Sequence, residues 1–206
     1  LQPSDLDETK LRWLQREFKF YWMPLSTKQQ GVAFLVGGNN MNGPTTNLVD
    51  WYDCKTRLWR PAAPMREKRI GFGLCVVNNS LYATGGLHQQ STGQATLQDM
   101  EVYDPCVNEW TVVTMPVGRQ LHSACAVGSA MYLVGGEDES LGMDTVVRKL
   151  ETRTGVWSEM ARLPVPTIYG HACVMGTKIF MFGGTNSETS TVLNTVQCFD
   201  TLKNEW

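Results

Sequence analysis

Hydrophobic and polar positions along the chain fall into short blocks that recur at a regular distance. Residues 70–77 form an apolar run interrupted only by small residues, which is typical of a buried strand. The blocks after it predict a turn at 78–79, a strand at 81–84, a polar loop at 87–98, and strands at 100–103 and 110–113. About 50 residues therefore predict one unit of four short antiparallel strands.

Three landmarks repeat in register through four copies of this unit. Glycine pairs stand at Gly37-Gly38, Gly85-Gly86, Gly135-Gly136 and Gly183-Gly184, which are 48, 50 and 48 residues apart. Tryptophans follow at Trp59, Trp110, Trp157 and Trp206, and seven residues before them stand Tyr52, Tyr103, Leu150 and Phe199, each followed by an acidic residue. Chance does not keep three landmarks in step, so the sequence predicts a repeat protein.

Stacked sheets are the expected architecture, because one four-stranded sheet buries too little apolar surface alone. The glycine pairs permit sharp turns, and the aromatic residues fill the space between neighbouring sheets. The sequence therefore predicts an all-β propeller over residues 31–206, incomplete with about four blades. The expected bounds are about 31–65 for blade 1, 66–116 for blade 2, 117–164 for blade 3 and 165–206 for blade 4.

The first 30 residues have a different character. Leu11, Leu14, Phe18 and Tyr21 recur at helical spacing, which predicts a short helical segment within residues 4–22 that ends at Met23-Pro24. The stretch that follows is polar where an inner strand would precede Gly31. We therefore expect blade 1 to lack its innermost strand.

These residues resemble a known repeat. The glycine pairs, Tyr103-Asp104-Pro105, the tryptophans and Arg119-x-x-His122-Ser123 resemble kelch repeats, although Leu150-Glu151 departs from the Tyr-Asp pattern. Residues 1–30 resemble the tail of a BACK-like domain plus linker, as in the kelch-like (BTB-BACK-kelch) family. That resemblance implies a six-bladed ring closed by a C-terminal strand, so the sequence is expected to be a fragment.

Composition and charge narrow the function classes. Of the 206 residues, 42% are hydrophobic and 18% charged, and the formal net charge is −2. Such a balance offers no basic stripe for phosphates, so we expect no nucleic-acid partner. No apolar run reaches the roughly 18–20 residues that a membrane helix needs, so we expect no membrane partner.

Candidate chemistry is sparse. Cys75, Cys125 and Cys173 stand ten residues before their glycine pairs and are predicted to be small buried residues of the inner strands. Cys54, Cys106 and Cys198 are predicted to be free thiols, so no disulfide is expected. His122 and His171 open inner strands, where a structural hydrogen bond is the expected role. No metal, cofactor or catalytic residue is predicted, and the chain is not expected to be an enzyme.

The remaining candidate is a surface at one end of the strands. Arg69, Arg119 and Thr167 stand six residues before the inner-strand cysteines, beside the long loops that follow the glycine pairs. The kelch-like resemblance implies partner-binding residues at this end, here Arg66, Arg69, Arg119 and Tyr169. A guanidinium group grips a carboxylate with two hydrogen bonds, which favours an acidic or phosphorylated partner. The alternative, that these arginines hold the adjacent blade, stays open at this point.

The resemblance also implies the function. The leading hypothesis is the substrate-recognition propeller of a cytoplasmic cullin-3 ubiquitin-ligase adaptor, which binds a substrate protein on its loops and cullin-3 through a BTB domain outside this sequence. The second hypothesis is an actin-binding kelch scaffold with F-actin as the partner. The third and lowest-ranked is a copper enzyme similar to galactose oxidase, whose paired histidine and tyrosine ligands are not assembled in this sequence.

Overall fold

The computed structural model describes residues 19–23, 32–39, 44–90 and 93–206, and these residues form four main antiparallel sheets in chain order, together with two small two-stranded sheets. Blade 1 contains β1 (Lys19–Met23), β2 (Val32–Gly38), β3 (Thr46–Asp53) and β4 (Leu58–Pro61). Blade 2 contains β5 (Gly73–Val77), β6 (Ser80–Thr84), the separate hairpin β7 (Leu87–Gln90) and β8 (Gly93–Thr96), then β9 (Asp99–Asp104) and β10 (Glu109–Thr114).

Blades 3 and 4 repeat the pattern. Blade 3 contains β11 (Ser123–Val127), β12 (Ala130–Val134), β13 (Val146–Glu151) and β14 (Val156–Arg162). Blade 4 contains β15 (His171–Met175), β16 (Lys178–Phe182), the two-residue strands β17 (Thr185–Asn186) and β18 (Thr191–Val192), and β19 (Val196–Asp200). The predicted all-β array of stacked blades is confirmed. In blade 4, the segment after β19 forms only a bridge between Asp200 and Glu205 where a fourth strand was expected.

The inner strand of blade 1 is present, so the expectation that it is missing is wrong. Strand β1 pairs antiparallel with β2, from Lys19 opposite Val36 to Met23 opposite Val32. Residues 19–22 were predicted to end a helix, but their aromatic composition also suits a strand, and the unpaired edge of β2 offers main-chain partners that an isolated helix lacks. Residues 4–18 of the predicted helix lie outside the described residues.

Three hydrophobic clusters join the four blades, one at each boundary. Between blades 1 and 2, the ring of Phe34 meets that of Tyr103 edge-on with centroids 5.7 Å apart, and Trp110 lies 5.1 Å from the same tyrosine ring. Between blades 3 and 4, Phe199 and Trp206 repeat the second contact at 5.1 Å. The aromatic landmarks therefore fill the space between sheets, as the sequence predicts.

Hydrogen bonds at the outer rim add to these clusters. The Trp110 indole N–H donates to the Ala63 carbonyl at 2.8 Å, and the Ala63 N–H donates to Asn108 Oδ1 at 2.8 Å. Trp206 and Asn204 hold Ala161 in the same way, at 3.2 and 2.8 Å. We call each of these Trp–Asn pairs a rim latch. In blade 3 the asparagine position is Gly155, so the boundary between blades 2 and 3 lacks this acceptor.

The glycine pairs allow close approach between blades. A Cβ on Gly85 would lie 2.1 Å from the Arg119 carbonyl oxygen, which accepts a hydrogen bond from the Gly86 N–H at 2.8 Å. The φ angles of +57° and +95° at these two glycines are also in the region that other residues rarely adopt. The pair therefore brings the main chain of one blade against the segment that leads into the next.

Blade 4 presents one face without a neighbouring blade among the described residues. Its buried side packs on blade 3 through residues such as Ile179 and Phe199. On the other face Cys173 is exposed, whereas Cys75 and Cys125 at equivalent positions are buried. The prediction that all three cysteines are buried is therefore wrong for Cys173, because a fifth sheet would be needed to cover it.

Candidate functional site

The connecting segments and long loops meet at one end of each blade. The bridges Ile70–Leu87, Gln120–Glu137 and Ile168–Thr185 pair each segment that enters a blade with the loop that follows its glycine pair. We call this surface, made by segments 62–72, 113–122 and 161–170 and by the described residues of the loops at 85–90, 93–98, 135–145 and 183–195, the loop face. The four residues with a predicted binding role all lie in its segments.

Arg69 is buried rather than displayed on the loop face. Its side chain has 0% exposure, and Nη2 donates to Glu101 Oε1 at 2.7 Å and to Asp99 Oδ1 at 2.9 Å. Nη1 donates to the Gly85 carbonyl at 2.9 Å. Glu101 is itself fully buried and also accepts the main-chain N–H of Arg66 at 2.6 Å. Arg69 therefore joins the entering segment of blade 2 to the third strand of the same blade.

Arg119 has the equivalent role in blade 3. It is 1% exposed, pairs with Asp144, and donates to the carbonyls of Gly135 at 3.2 Å and Val146 at 2.9 Å. Burial lowers the pKa of its guanidinium to about 10, and the neighbouring Asp144 opposes that shift, so the group keeps its charge at neutral pH. Asp144 also pairs with Arg148, which places two guanidinium groups on one carboxylate.

The predicted contact of Arg69 and Arg119 with a partner does not agree with this burial. Both guanidinium groups already have carboxylate partners, so their role is structural, but they hold their own blade and not the adjacent blade that the alternative named. The acids on the third strand of blade 2 and just before that of blade 3 were the signal that could have shown this. Blade 4 supports that interpretation, since it has Thr167 at the arginine position and the uncharged Gln197 where blade 2 has Glu101.

Arg66 and Tyr169 are placed differently, because both side chains are exposed. The Arg66 main-chain N–H donates to the buried Glu101 carboxylate, while the Arg66 side chain is exposed to solvent. Tyr169 is 68% exposed and has a φ of +55°, which non-glycine residues seldom adopt. The structure brings these two residues to the same end of the array, on blades 2 and 4.

A series of main-chain hydrogen bonds explains the conformation of Tyr169. The Leu121 N–H donates to the Gly71 carbonyl at 2.7 Å, and the Tyr169 N–H donates to the Leu121 carbonyl at 3.1 Å. All three residues have φ between +55° and +61°. This series links consecutive blades at the inner side of the loop face, so the segments that carry the exposed side chains are fixed relative to one another.

His122, Cys75 and Cys125 have structural roles within the blades. His122 Nε2 lies 2.8 Å from Thr84 Oγ1, which links blades 2 and 3. Burial raises the pKa of the Cys125 thiol to about 12 and that of Cys75 well above its usual value. Among the described residues no group of three His, Cys, Asp or Glu side chains is placed to hold a metal ion. In the same part of the chain no helix is long and apolar enough to cross a membrane.

Comparisons with known proteins agree with this architecture. The family model described as "KLHDC2/KLHL20/DRC7 Kelch-repeats domain" matches residues 26–206. Kelch-like protein 25 of Xenopus tropicalis is 29% identical over 182 residues, covering 84% of this chain and 30% of that protein. Kelch-like protein 36 of Mus musculus is 30% identical over 183 residues, covering 84% of this chain and 28% of that protein.

Two further comparisons extend the range of relatives. Kelch-like protein terF of Aspergillus terreus is 28% identical over 192 residues, covering 84% of this chain and 41% of that protein. The solved structure described as "Structure of YjhT" superposes with a TM-score of 0.72 at 16% identity, over 82% of this chain and 60% of that one. This second likeness concerns the fold alone. The chain spans less than half the length of these curated relatives.

Proposed function

Because the chain belongs to the kelch-repeat family, we propose that it is the substrate-recognition propeller of a cullin-3 ubiquitin-ligase adaptor and that its loop face binds the substrate protein. The relatives that carry the name Kelch-like protein support a protein-interaction module in general. The adaptor role, a BTB domain that binds cullin-3, and a cytoplasmic location belong to the proposal. Non-enzymatic action is part of it too.

The observation that carries the proposal is that buried ion pairs and main-chain hydrogen bonds hold the loop face in a fixed position. Buried pairs between Arg69 and Glu101 and between Arg119 and Asp144 fix the segments and loops from below. The hydrogen-bonded series from Gly71 to Tyr169 fixes them from blade to blade. A surface held in this way loses little conformational entropy when a partner binds, which favours recognition.

Arg66 and Tyr169 are the proposed contact residues of this surface. Arg66 offers five N–H donors for a partner carboxylate or carbonyl, and the exposed ring of Tyr169 offers apolar area with a polar end. Arg69 and Arg119 contribute by fixing the segments on which these side chains stand.

The test is co-purification of the protein, expressed from its complete reading frame, with cullin-3 and with F-actin. We expect recovery of cullin-3 together with a second protein that is lost when Arg66 and Tyr169 are both replaced by alanine. Cullin-3 itself should remain bound to that variant. Sedimentation with F-actin without any cullin-3 would contradict the adaptor role and favour the scaffold hypothesis.

A further inference from the structure

The loop face carries opposite charges on neighbouring blades. Blade 2 presents the exposed Arg66 and Lys68, whereas blade 3 presents Glu137, Asp138 and Glu139. Among the described residues, the ion pairs within 4.0 Å include none of these three carboxylates. No ion pair within the described residues therefore involves these three carboxylates, although the charge of Arg119 contributes to lowering the pKa of Asp138.

The nearest guanidinium groups are engaged elsewhere. Arg119 and Arg148 both pair with Asp144, below the loop. Asp138 uses one oxygen to accept hydrogen bonds from Ser140 and Gly142, and the Ser140 hydroxyl lowers its pKa. These contacts shape the loop and keep Asp138 ionised.

A buried amide stands next to this loop with an unused acceptor. Gln120 is 2% exposed, and its Oε1 has no hydrogen-bond donor in the described part of the chain. Gln120 and Glu137 exchange two main-chain hydrogen bonds of 2.9 Å as antiparallel bridge partners. Bridge partners point their side chains to the same face, so the Gln120 amide and the Glu137 carboxylate share one face.

The corresponding positions in the other blades are not polar in this way. The same bridge joins Ile70 to Leu87 in blade 2 and Ile168 to Thr185 in blade 4. An isoleucine fits the buried position without any need for a donor, whereas a buried acceptor without one costs about 1–3 kcal/mol. The glutamine and glutamate of blade 3 therefore place two acceptor side chains where blades 2 and 4 have an isoleucine opposite a leucine or a threonine.

Two acceptor groups on one face suit a cation with several donors. The Glu137 carboxylate is half-buried, and its Oε1 accepts a hydrogen bond from the Ser187 hydroxyl of the blade 4 loop at 3.1 Å. No described set of three carboxylate, histidine or cysteine ligands surrounds a metal ion here. A guanidinium or ammonium group supplies three to five N–H donors and matches these acceptors.

We propose that Glu137 and the neighbouring acids 138–139 bind a lysine or arginine side chain of the partner protein, and that the Gln120 amide, covered in the free protein, accepts one of its N–H groups when that side chain enters. Leu141, which is 68% exposed, lies in the same loop and offers an apolar surface to the stem of that side chain. This inference rests on the proposed function. The inference adds that the partner segment carries a basic residue where it crosses blade 3 and an acidic residue, bound by Arg66, where it crosses blade 2.

The experiment selects peptides from a random nonapeptide phage library on this chain and measures their affinity by fluorescence polarisation. The test variant Gln120→Ile with Glu137→Thr copies residues that blade 4 already carries at Ile168 and Thr185, so the fold should accept it. Glu159→Gln is the matched control, since it removes a negative charge from the outer strand of the same blade. If the double variant fails to fold, the single variant Glu137→Gln replaces it.

We expect the enriched peptides to share a lysine or arginine, and their Kd to rise about tenfold or more in the double variant. Replacing that arginine by citrulline, which removes the charge, should weaken binding equally, whereas Glu159→Gln should not change it. Two outcomes would overturn this inference alone, provided that the peptides still protect segments 62–72 and 135–145 from hydrogen exchange. In the first, the peptides contain no basic residue. In the second, they bind the double variant as well as the unchanged protein. Absence of any peptide bound to the loop face would overturn the proposed function as well.

Discussion

Replacing Arg69 by alanine removes the cation from a fully buried ion pair and leaves Glu101 without its 2.7 Å partner. Both side chains have 0% exposure, so water cannot take over the interaction. Breaking such a pair by removing one member costs about 3–5 kcal/mol, because the other charge stays buried. We expect Arg69→Ala to lower the free energy of unfolding by that amount.

A second variant separates the loss of the pair from the burial of the remaining charge. Blade 4 has Thr167 and Gln197 at these positions, and Gln197 Oε1 accepts the Val165 N–H at 2.8 Å much as Glu101 accepts the Arg66 N–H. Arg69→Thr combined with Glu101→Gln should therefore recover at least about half of the lost stability, since no buried charge is left unpaired.

The assay is urea unfolding followed by tryptophan fluorescence, with Arg66→Ala as the control. Arg66 stands in the same segment with an exposed side chain, and such surface changes stay within about 0.5 kcal/mol. A loss below about 1 kcal/mol for Arg69→Ala would refute the structural role. Absence of recovery in the double variant would refute the burial argument.

Three further predictions concern other parts of the array. Asn108→Gly removes the acceptor of the Ala63 N–H and should cost about 1–2 kcal/mol of unfolding free energy in the same assay; an unchanged midpoint would contradict the rim latch. Iodoacetamide at pH 8 should label the exposed Cys106 in the native protein, and Cys75 and Cys125 only in urea, as measured by intact mass; native labelling of either would contradict their burial. Deletion of residues 1–23 removes β1 and should cause aggregation, detected by light scattering, because it exposes the edge of β2; a monomeric product would contradict this.

Most of the fold could be predicted from the repeat, because each repeated landmark has a direct structural role. The glycine pairs and aromatic residues are required wherever one blade meets the next, so they recur and can be read from one sequence. Strand β1 fills the inner-strand position of blade 1 but was missed because its residues do not match the pattern of the other inner strands; its pairing with the edge of β2 depends on tertiary structure. The same holds for Cys173, whose exposure depends on a neighbouring sheet.

The position of the loop face could be predicted from the sequence, but the contacts of its arginines could not. The segments before the inner strands do form the loop face, yet Arg69 and Arg119 point inward because acids on the third strand (Glu101) or just before it (Asp144) lie within reach. Sequence spacing gives the position of a side chain along a strand and not the partner that it meets across the sheet. Gln120 was missed altogether, since a lone glutamine has no signature until its bridge with Glu137 is known.

The main-chain series through Gly71, Leu121 and Tyr169 gives the array a direction. Every link has the later blade as donor and the earlier blade as acceptor, so the Tyr169 carbonyl is the next acceptor in the series. Each link joins consecutive blades only, so the geometry of one boundary does not depend on a distant blade. A substitution that breaks one link should therefore act first at its own boundary, as in other arrays whose stability is a sum of nearest-neighbour contributions.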